Sequence, residues 1–443
     1  MKSTLHQVEK RNGTLVAFDQ ERITFAVYKA AASVGGRNPQ RAERLSDRVV
    51  SLLEERNTDG APVPVETIQD TIEEVLITAG HVASARSFIV YRESRRAARE
   101  VGLGQSRAAH GPIPYRSLWE TLVWNMTHGC HRVDALNRVI RTGGLPALIR
   151  AAEDRYSAEI EALADDVVRR SDTVRLVIVA GPSSSGKTTT TNRLSEALGR
   201  RGLELVAVNV DNYFRDLDHQ PRDRRGDHDY ETPEAIDLPL FNEHLEELLA
   251  GRPVDSPTFD FHTGRRTGET QRLQLEDGQL AIIDTLHGLS RPVTGKIPGE
   301  RKYRIYIETL GQVRDADDRW VKWTDIRLLR RMVRDRIQRG KSPRETLEHW
   351  HYVRRAEKKH ILPFLGDADF VIDTAFPYEL AWYRPMTEDF FRAYLAETPP
   401  EGDAATRAAR VYRLLTTILP MSDLTAIPDD SVLREFLGGG RYG

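Results

Sequence analysis

A glycine-rich loop in the middle of the chain carries the residues with the clearest chemical use. Residues 181–188 read GPSSSGKT, which fits the spacing GxxxxGK[ST]. Small residues let consecutive backbone N–H groups surround phosphate oxygens at a helix N-terminus, while Lys187 adds a positive charge and Thr188 offers a hydroxyl group to Mg²⁺. The pattern predicts a nucleoside triphosphate site. The residues expected to hold the phosphates are Gly181, Pro182, Ser183, Ser184, Ser185, Gly186, Lys187, Thr188 and Thr189.

Two carboxylates follow predicted strands. Asp211 comes directly after the strand 204–210, and Asp284 ends the apolar run 280–283. Ligands of parallel sheets collect at the carboxyl ends of the strands. Asp211 is suited to accept the proton of an attacking hydroxyl group, although an aspartate there is equally well explained as a helix cap. Asp284 has the usual position of the acid that holds Mg²⁺ beside the loop hydroxyl group.

A third candidate element is a basic helix predicted from Ile326 to Gly340. Guanidinium groups can stabilise the negative charge of a phosphoryl group in transfer once a lid closes over it. The alternative is a solvated helix whose arginines pair with acids. Asp325 and Asp335 are the only local acids, so the excess of arginines favours the lid. The arginines are Arg327, Arg330, Arg331, Arg334, Arg336 and Arg339.

The elements that position these residues alternate between strand and helix after residue 173. Such alternation predicts an α/β fold with a parallel sheet flanked by helices. The predicted strands are residues 174–180, 205–210, 280–284, 303–307 and 370–372. The expected domains are residues 1–100, a linker and helical segment at 101–172, the α/β domain at 173–395, and a helical extension at 396–443.

The first hundred residues predict a small, mainly helical domain. Asn12-Gly13 marks a tight hairpin turn. The helical segments expected after it are residues 22–33, a helix that begins at Asn38-Pro39, residues 65–78, and residues 81 to about 99. A glycine-rich linker is expected from Gly102 to Pro114, and residues 118–169 look helical.

Composition limits the partners and the compartment. Lys and Arg number 64 against 66 Asp and Glu, which gives a formal charge of −2. This balance predicts neither a nucleic-acid partner nor an anionic membrane partner.

Cys130 is the only cysteine, so no intrachain disulfide framework is expected. No apolar run approaches the ~20 residues that span a bilayer, and we expect a cytoplasmic protein. No metal is placed on His128, Cys130 and His131, because a second ligand pair is lacking.

Residues 173 to about 380 resemble the uridine kinase and phosphoribulokinase group of P-loop kinases. The matching segments are GPSSSGKTTTT, DNYF, DYETPEAID, PTFDF, the strand that ends in Asp284, and RRMVRDRIQRG. The resemblance implies ATP and Mg²⁺ as cofactors and Asp211 as the catalytic base. It also implies that Arg334 and Arg339 grip triphosphate oxygens and that Arg331 and Lys341 contact the acceptor.

Three departures from uridine kinases concern the acceptor. Glu231 replaces an aspartate, Phe259 replaces a tyrosine, and Gly264 replaces a histidine. Sites built to hydrogen-bond a substrate discriminate by up to ~10⁴-fold or more, so these exchanges can redirect the enzyme. The expected acceptor pocket is formed by Glu231, Phe259 and Arg265.

The sequence is compatible with three functions. The first is a kinase that phosphorylates a small molecule, with the 5′-hydroxyl group of a nucleoside as the expected acceptor. The second is a kinase for a phosphorylated sugar or a hydroxy acid, whose anion Arg265 and Arg266 would bind. The third is a nucleotide-sensing regulatory protein.

Residues 5–98 resemble the ATP-cone, a regulatory nucleotide-binding domain. The pattern VxKRxGxxxxFDxxxI runs from Val8 to Ile23. The resemblance implies that Lys10 and Arg11 contact the phosphates of a regulatory ATP or dATP; the alternative is a solvated basic hairpin that binds nothing. ATP-cones often act by changing assembly, so a homo-oligomer is expected.

Overall fold

The structure is a computed structural model that describes residues 5–10, 14–34, 36, 38–57, 60–89, 113–222, 226, 228–260, 262–397 and 402–442. It divides into two compact units, Met1–Ser106 and Arg107–Gly443. Arg11, the Asn12-Gly13 turn, Phe261 and most of the expected linker lie outside the described residues. Within the described ranges, no helix combines the length and the apolar character needed to cross a membrane.

The first unit combines a small sheet with helices. β1 (Gln7–Glu9) pairs antiparallel with β2 (Leu15–Ala17) and parallel with β3 (Val63–Pro64). The side chains of Asp19 and Asn38 accept hydrogen bonds from first-turn amides and cap the first two helices. The helices are α1 (Gln20–Ser33), α2 (Pro39–Arg56), α3 (Val65–Thr78) and α4 (82–89). The mainly helical character is confirmed; the two residues of β3 were too short a pattern to predict.

The second unit contains the remaining elements. Its described strands are β4 (Leu176–Ala180), β5 (Leu205–Ala207), β6 (Val254–Asp260), β7 (Arg265–Leu273), β8 (Leu280–Thr285), β9 (Lys302–Glu308) and β10 (Phe370–Asp373). Its described helices are α5 (Tyr115–Thr127), α6 (Val133–Arg141), α7 (Leu145–Arg169), α8 (Lys187–Gly199), α9 (Leu238–Leu249), α10 (Arg291–Thr294), α11 (Trp323–Arg339), α12 (Pro343–Ala356), α13 (Leu380–Glu397), α14 (Asp403–Thr417) and α15 (Arg434–Leu437).

Five parallel strands in the order β10-β9-β4-β8-β5 form the centre of this unit. Every residue of β4 is buried. Val177 and Val179 join the hydrophobic cluster on one face, and Leu176, Ile178 and Ala180 join the cluster on the other. Because both faces of β4 are covered, this strand is continuously apolar, and the predicted parallel sheet is confirmed. β6 and β7 form a separate antiparallel hairpin.

The segment before the sheet contains three helices where the sequence pattern indicated one helical stretch. Breaks follow α5 and α6 at Gly129 and Gly143, which have φ values of +64° and +75°. Glycine adopts this region without a steric penalty, so it ends each helix. α7 then packs its apolar face into the same core as β4.

The only cysteine lies between α5 and α6. Cys130 is fully buried, and burial raises the pKa of its thiol to about 12. The ring of His128 stacks on Trp124 with 3.9 Å between centroids. These are packing contacts.

Two arginines of the basic helix α11 face the core rather than the solvent. Arg327 and Arg330 are both fully buried. Arg330 donates to Glu379 at 2.7 and 3.0 Å and to the carbonyl oxygen of Thr374 at 2.6 Å. The lid interpretation is therefore wrong for these two residues, because their guanidinium groups pair with acids in the core, whereas Arg336 and Arg339 of the same helix are exposed.

We expect Arg330→Met to lower the free energy of unfolding by about 3–5 kcal/mol, because it leaves Glu379 charged and unpaired in the core. Adding Glu379→Gln removes that charge and recovers part of the loss. Urea denaturation of both variants measures the difference. The matched control is Arg336→Met on the exposed side of α11, with an expected change below about 0.5 kcal/mol. A double variant no more stable than the single one would contradict the assignment.

Candidate active site

Close backbone approaches shape the loop between β4 and α8. A Cβ atom on Gly181 would lie 2.4 Å from the carbonyl oxygen of Ile307, and one on Gly186 would lie 2.5 Å from Cγ1 of Val432. Gly186 also has a φ of +92°, which side chains disfavour. Both positions therefore require glycine, and the loop leads directly into the first turn of α8, whose amides lack helical partners.

Two carbonyl groups of this loop accept hydrogen bonds from side chains elsewhere in the unit. Arg327 donates to the Ser183 carbonyl oxygen at 3.1 Å and forms ion pairs with Glu308 at 2.7 Å and Glu357 at 2.5 Å. The hydroxyl group of Thr374 donates to the carbonyl oxygen of Ser185. Glu308 and Glu357 offset the buried positive charge of Arg327, and Arg354 also pairs with Glu357. The guanidinium group that holds the Ser183 carbonyl oxygen is therefore not left unpaired in the core.

Asp211 lies on a 3₁₀ turn, Val210–Tyr213, just beyond β5. The residue is exposed to solvent, yet the surrounding protein desolvates its carboxyl group and raises the pKa. The positive charges of Lys187 and Arg339 oppose that shift. The carboxyl group thus shares an electrostatic environment with the loop lysine and remains accessible, as a proton acceptor requires.

Asp284 lies opposite Val179 in the ladder between β8 and β4, at the base of the loop. Burial raises the pKa of its carboxyl group to about 6; Lys187 opposes this shift, whereas Glu435 and Asp211 add to it. Thr188 is exposed at the start of α8. Among the described residues, no group of three or more His, Cys, Asp or Glu is placed to hold a metal. One hydroxyl and one carboxyl group fit Mg²⁺ only if phosphate oxygens and water complete its shell, which is its usual coordination.

Three arginines of α11, of which only Arg339 is exposed, converge on one buried acid. Asp335 is 1% exposed and lies 3.3 Å from Arg331, 2.9 Å from Arg334 and 3.6 Å from Arg339. Burial alone would raise the pKa of Asp335, but the guanidinium groups outweigh it and hold the pKa below its usual value. The cluster concentrates positive charge next to Asp211 and the loop.

The candidate acceptor residues are only partly brought together. Glu231 accepts a hydrogen bond from Arg331 at 3.2 Å, and the same guanidinium nitrogen reaches the hydroxyl group of Ser183 at 3.2 Å. The amide of Phe259 donates to the side chain of Asn212, next to Asp211. Lys341 is exposed directly after α11.

Arg265 does not join this group. It is 57% exposed and pairs at 2.6 Å with Asp218, because the β6-β7 hairpin turns it outward. Arg266 is instead directed inward, to Asp237 at 3.2 Å.

Sequence reasoning missed Asp335 and Arg327 as organisers of the site. The spacing of Asp335, four residues from both Arg331 and Arg339, is the signal that identifies it on a helix. The role of Arg327 depends on Glu357 and Ser183, which are distant in sequence.

Comparisons with known proteins match two parts of this chain to protein families. Residues 176–377 match the model of the phosphoribulokinase/uridine kinase family, and residues 6–97 match the model of the ATP cone domain. A uridine kinase of Deinococcus deserti is 32% identical over 195 residues, which are 44% of this chain and 84% of that protein. A uridine kinase of Chloroflexus aurantiacus is 30% identical over 203 residues, which are 46% of this chain and 86% of that protein.

One solved structure similar to this chain is D-glycerate 3-kinase from Cryptococcus neoformans. It is 15% identical, covers 61% of this chain and 89% of its own, and has a TM-score of 0.28. A score this low supports no inference about function.

We expect Lys187→Met to weaken ATP binding about 10- to 100-fold, because a charge-assisted contact to phosphate is lost. Isothermal titration calorimetry with ATP measures the change. Lys296→Met, which removes an exposed lysine paired with Glu246 on α9, is the control and should leave the affinity unaltered. Equal affinities in all three proteins would exclude the loop as the nucleotide site.

Proposed function

The chain belongs to the phosphoribulokinase/uridine kinase family, and we propose that this kinase transfers the γ-phosphoryl group of ATP to the 5′-hydroxyl group of a nucleoside such as uridine or cytidine. The observation that carries the proposal is the position of Asp211. Its carboxyl group is accessible and feels the charges of Lys187 and Arg339, which are the expected phosphate ligands. A proton acceptor and phosphate-binding cations that share one site are what phosphoryl transfer to an alcohol requires.

The proposed transfer uses each group in one role. Asp211 accepts the proton of the acceptor hydroxyl group while the oxygen of that hydroxyl group bonds to the γ-phosphorus. The bond between the γ-phosphorus and the oxygen that bridges to the β-phosphate breaks, which releases ADP. Lys187, Arg334 and Arg339 balance the charge on the phosphate oxygens. Thr188 and Asp284 would hold Mg²⁺, which would supply further neutralisation of the phosphate charge.

The ion pairs formed by the candidate acceptor residues favour a nucleoside over an anionic acceptor. Glu231 can accept hydrogen bonds from sugar hydroxyl groups, and Arg331 holds it in place at 3.2 Å. The cations suggested for an acceptor anion, Arg265 and Arg266, already pair with Asp218 and Asp237. Both arginines would have to break these ion pairs to bind a sugar phosphate or a hydroxy acid.

A panel of acceptors tests the assignment directly. ADP release is measured with ATP and uridine, cytidine, other nucleosides, pentose phosphates and glycerate. Turnover with nucleosides supports the proposal, and turnover with only the anionic compounds replaces it. An inert protein that still binds ATP would support a nucleotide-sensing role.

We expect Asp211→Asn to lower kcat by 10²- to 10⁴-fold, the usual contribution of a general base, with little change in the Kd for ATP. Because the pKa of Asp211 is raised, the kcat of the parent enzyme should fall on acidification at a pH above the usual aspartate range, as the base becomes protonated. A steady-state pH profile measures both effects. A variant within tenfold of the parent would remove Asp211 from this role.

The first unit is the proposed site of regulation, with residues 1–100 as the regulatory domain and 173–395 as the kinase domain. Support comes from the ATP cone match and from the exposed Lys10, whose amide closes the hairpin on the carbonyl oxygen of Thr14 at 2.9 Å. Two nucleotide sites in one chain can couple by ~1–3 kcal/mol. We propose that ATP or dATP bound at Lys10 and Arg11 changes the assembly of a homo-oligomer.

In the full chain, we expect the double variant Lys10→Ala, Arg11→Ala to lose the effect of dATP on oligomeric state. Light scattering after size-exclusion chromatography, with and without dATP, measures the loss. The control is Arg44→Ala with Arg48→Ala, two exposed basic residues of α2 in the same unit. An identical dATP response in the hairpin variant and the parent would rule out this site.

A further inference from the structure

The C-terminal segment, residues 427–442, lies against the phosphate loop of its own unit. Val432, Leu433 and Phe436 are completely buried, and Val432 occupies the space where a Cβ atom on Gly186 would lie. The guanidinium group of Arg330 lies over the Phe436 ring at 4.9 Å. A segment held by this much apolar contact has a fixed position relative to the loop.

One side chain of this segment reaches the donors of the loop. Oε2 of Glu435 accepts hydrogen bonds from the amide of Thr189 at 3.1 Å and from its hydroxyl group at 2.9 Å. Thr189 is the third residue of α8, and first-turn amides of a helix are the groups that bind phosphate. A carboxylate therefore holds two donors that belong to the expected phosphate site.

The contact differs from an ordinary helix cap. The N-cap position of α8 is Gly186, and no side chain of the described chain forms the usual cap there. Glu435 is 246 residues away in sequence and comes from a separate element. Its charge also acts on Asp284, the acid at the base of the loop, which supports its location within the site.

We propose that Glu435 is a further residue of the nucleotide site and competes with a phosphate oxygen of the nucleotide for the two donors of Thr189. The inference rests on the proposed function only in that residues 181–189 bind nucleotide. Two anions cannot share these donors without strong repulsion, so Glu435 must turn away when phosphate binds. The segment itself can stay in place, because Val432, Phe436 and the hydrogen bond from Gln338 to the Glu435 carbonyl oxygen at 3.1 Å do not involve the carboxylate.

The nucleotide affinity is then set partly by the C-terminal segment. In Glu435→Gln, a neutral amide replaces the carboxylate with the same shape, so both the charge-assisted contact and the repulsion are lost. We expect the Kd for ATP, measured by calorimetry without any acceptor, to fall at least about fivefold. The advantage should shrink at high salt, since screening weakens the repulsion.

The matched control is Asp430→Asn. Asp430 lies in the same segment but pairs with Arg193 at 3.7 Å. Its loss removes one negative charge without freeing Thr189, so the Kd for ATP should stay within twofold of the parent. Thermal unfolding provides a second measurement, in which saturating ATP should raise the Tm of Glu435→Gln more than that of the parent.

The outcomes separate the two proposals. Tighter ATP binding in Glu435→Gln but not in Asp430→Asn supports the competition. If the parent binds ATP and Glu435→Gln binds it equally or more weakly, Glu435 does not compete, and the proposed kinase function is unaffected. If neither protein binds ATP while both remain folded, the nucleotide site itself is wrong and both proposals are overturned.

Discussion

The hydrogen bond from the buried guanidinium group of Arg327 to the Ser183 carbonyl oxygen is the contact on which the rest of the site depends. A phosphate loop can present its N–H groups only if its carbonyl groups find partners elsewhere. Arg327 donates to the carbonyl oxygen of Ser183, and Thr374 donates to that of Ser185. Ion pairs with Glu308 and Glu357 stabilise the buried positive charge of Arg327. The conformation of the loop therefore depends on residues from separate parts of the chain.

The arginine cluster of α11 is likewise balanced by acids of the protein itself. Arg331, Arg334 and Arg339 would repel one another if they faced water without an anion between them, and Asp335 supplies that anion. Glu231 provides a second partner for Arg331. The cationic groups are thereby preorganised before any phosphate arrives, which lowers the ordering cost of binding.

Much of the fold and the principal groups of the site were predictable from the sequence. β4 is a continuous apolar run, Asp284 ends the apolar part of β8, and Asp211 lies on the turn shortly after β5. The contacts that surround those residues were harder to predict from the sequence. Arg327 and Arg330 look like their neighbours in sequence, and only the packing of α11 against α12, α13 and α15 separates buried from exposed arginines.

Long-range contacts account for the other differences. Arg265 and Arg266 are adjacent, yet the register of the β6-β7 hairpin directs them to different partners. The contact of Glu435 with Thr189 joins the end of the chain to its middle, and no local pattern of spacing encodes it. Such contacts emerge only when the elements pack.

The burial of Cys130 has a practical consequence for spectroscopy. A thiol with a pKa of about 12 stays protonated near neutral pH and is a poor nucleophile. Since it is the sole cysteine in 443 residues, maleimide dyes or spin labels would spare the native chain. Two cysteines introduced at exposed positions would then carry the only probes, so the distance between them can be followed without first removing the native thiol.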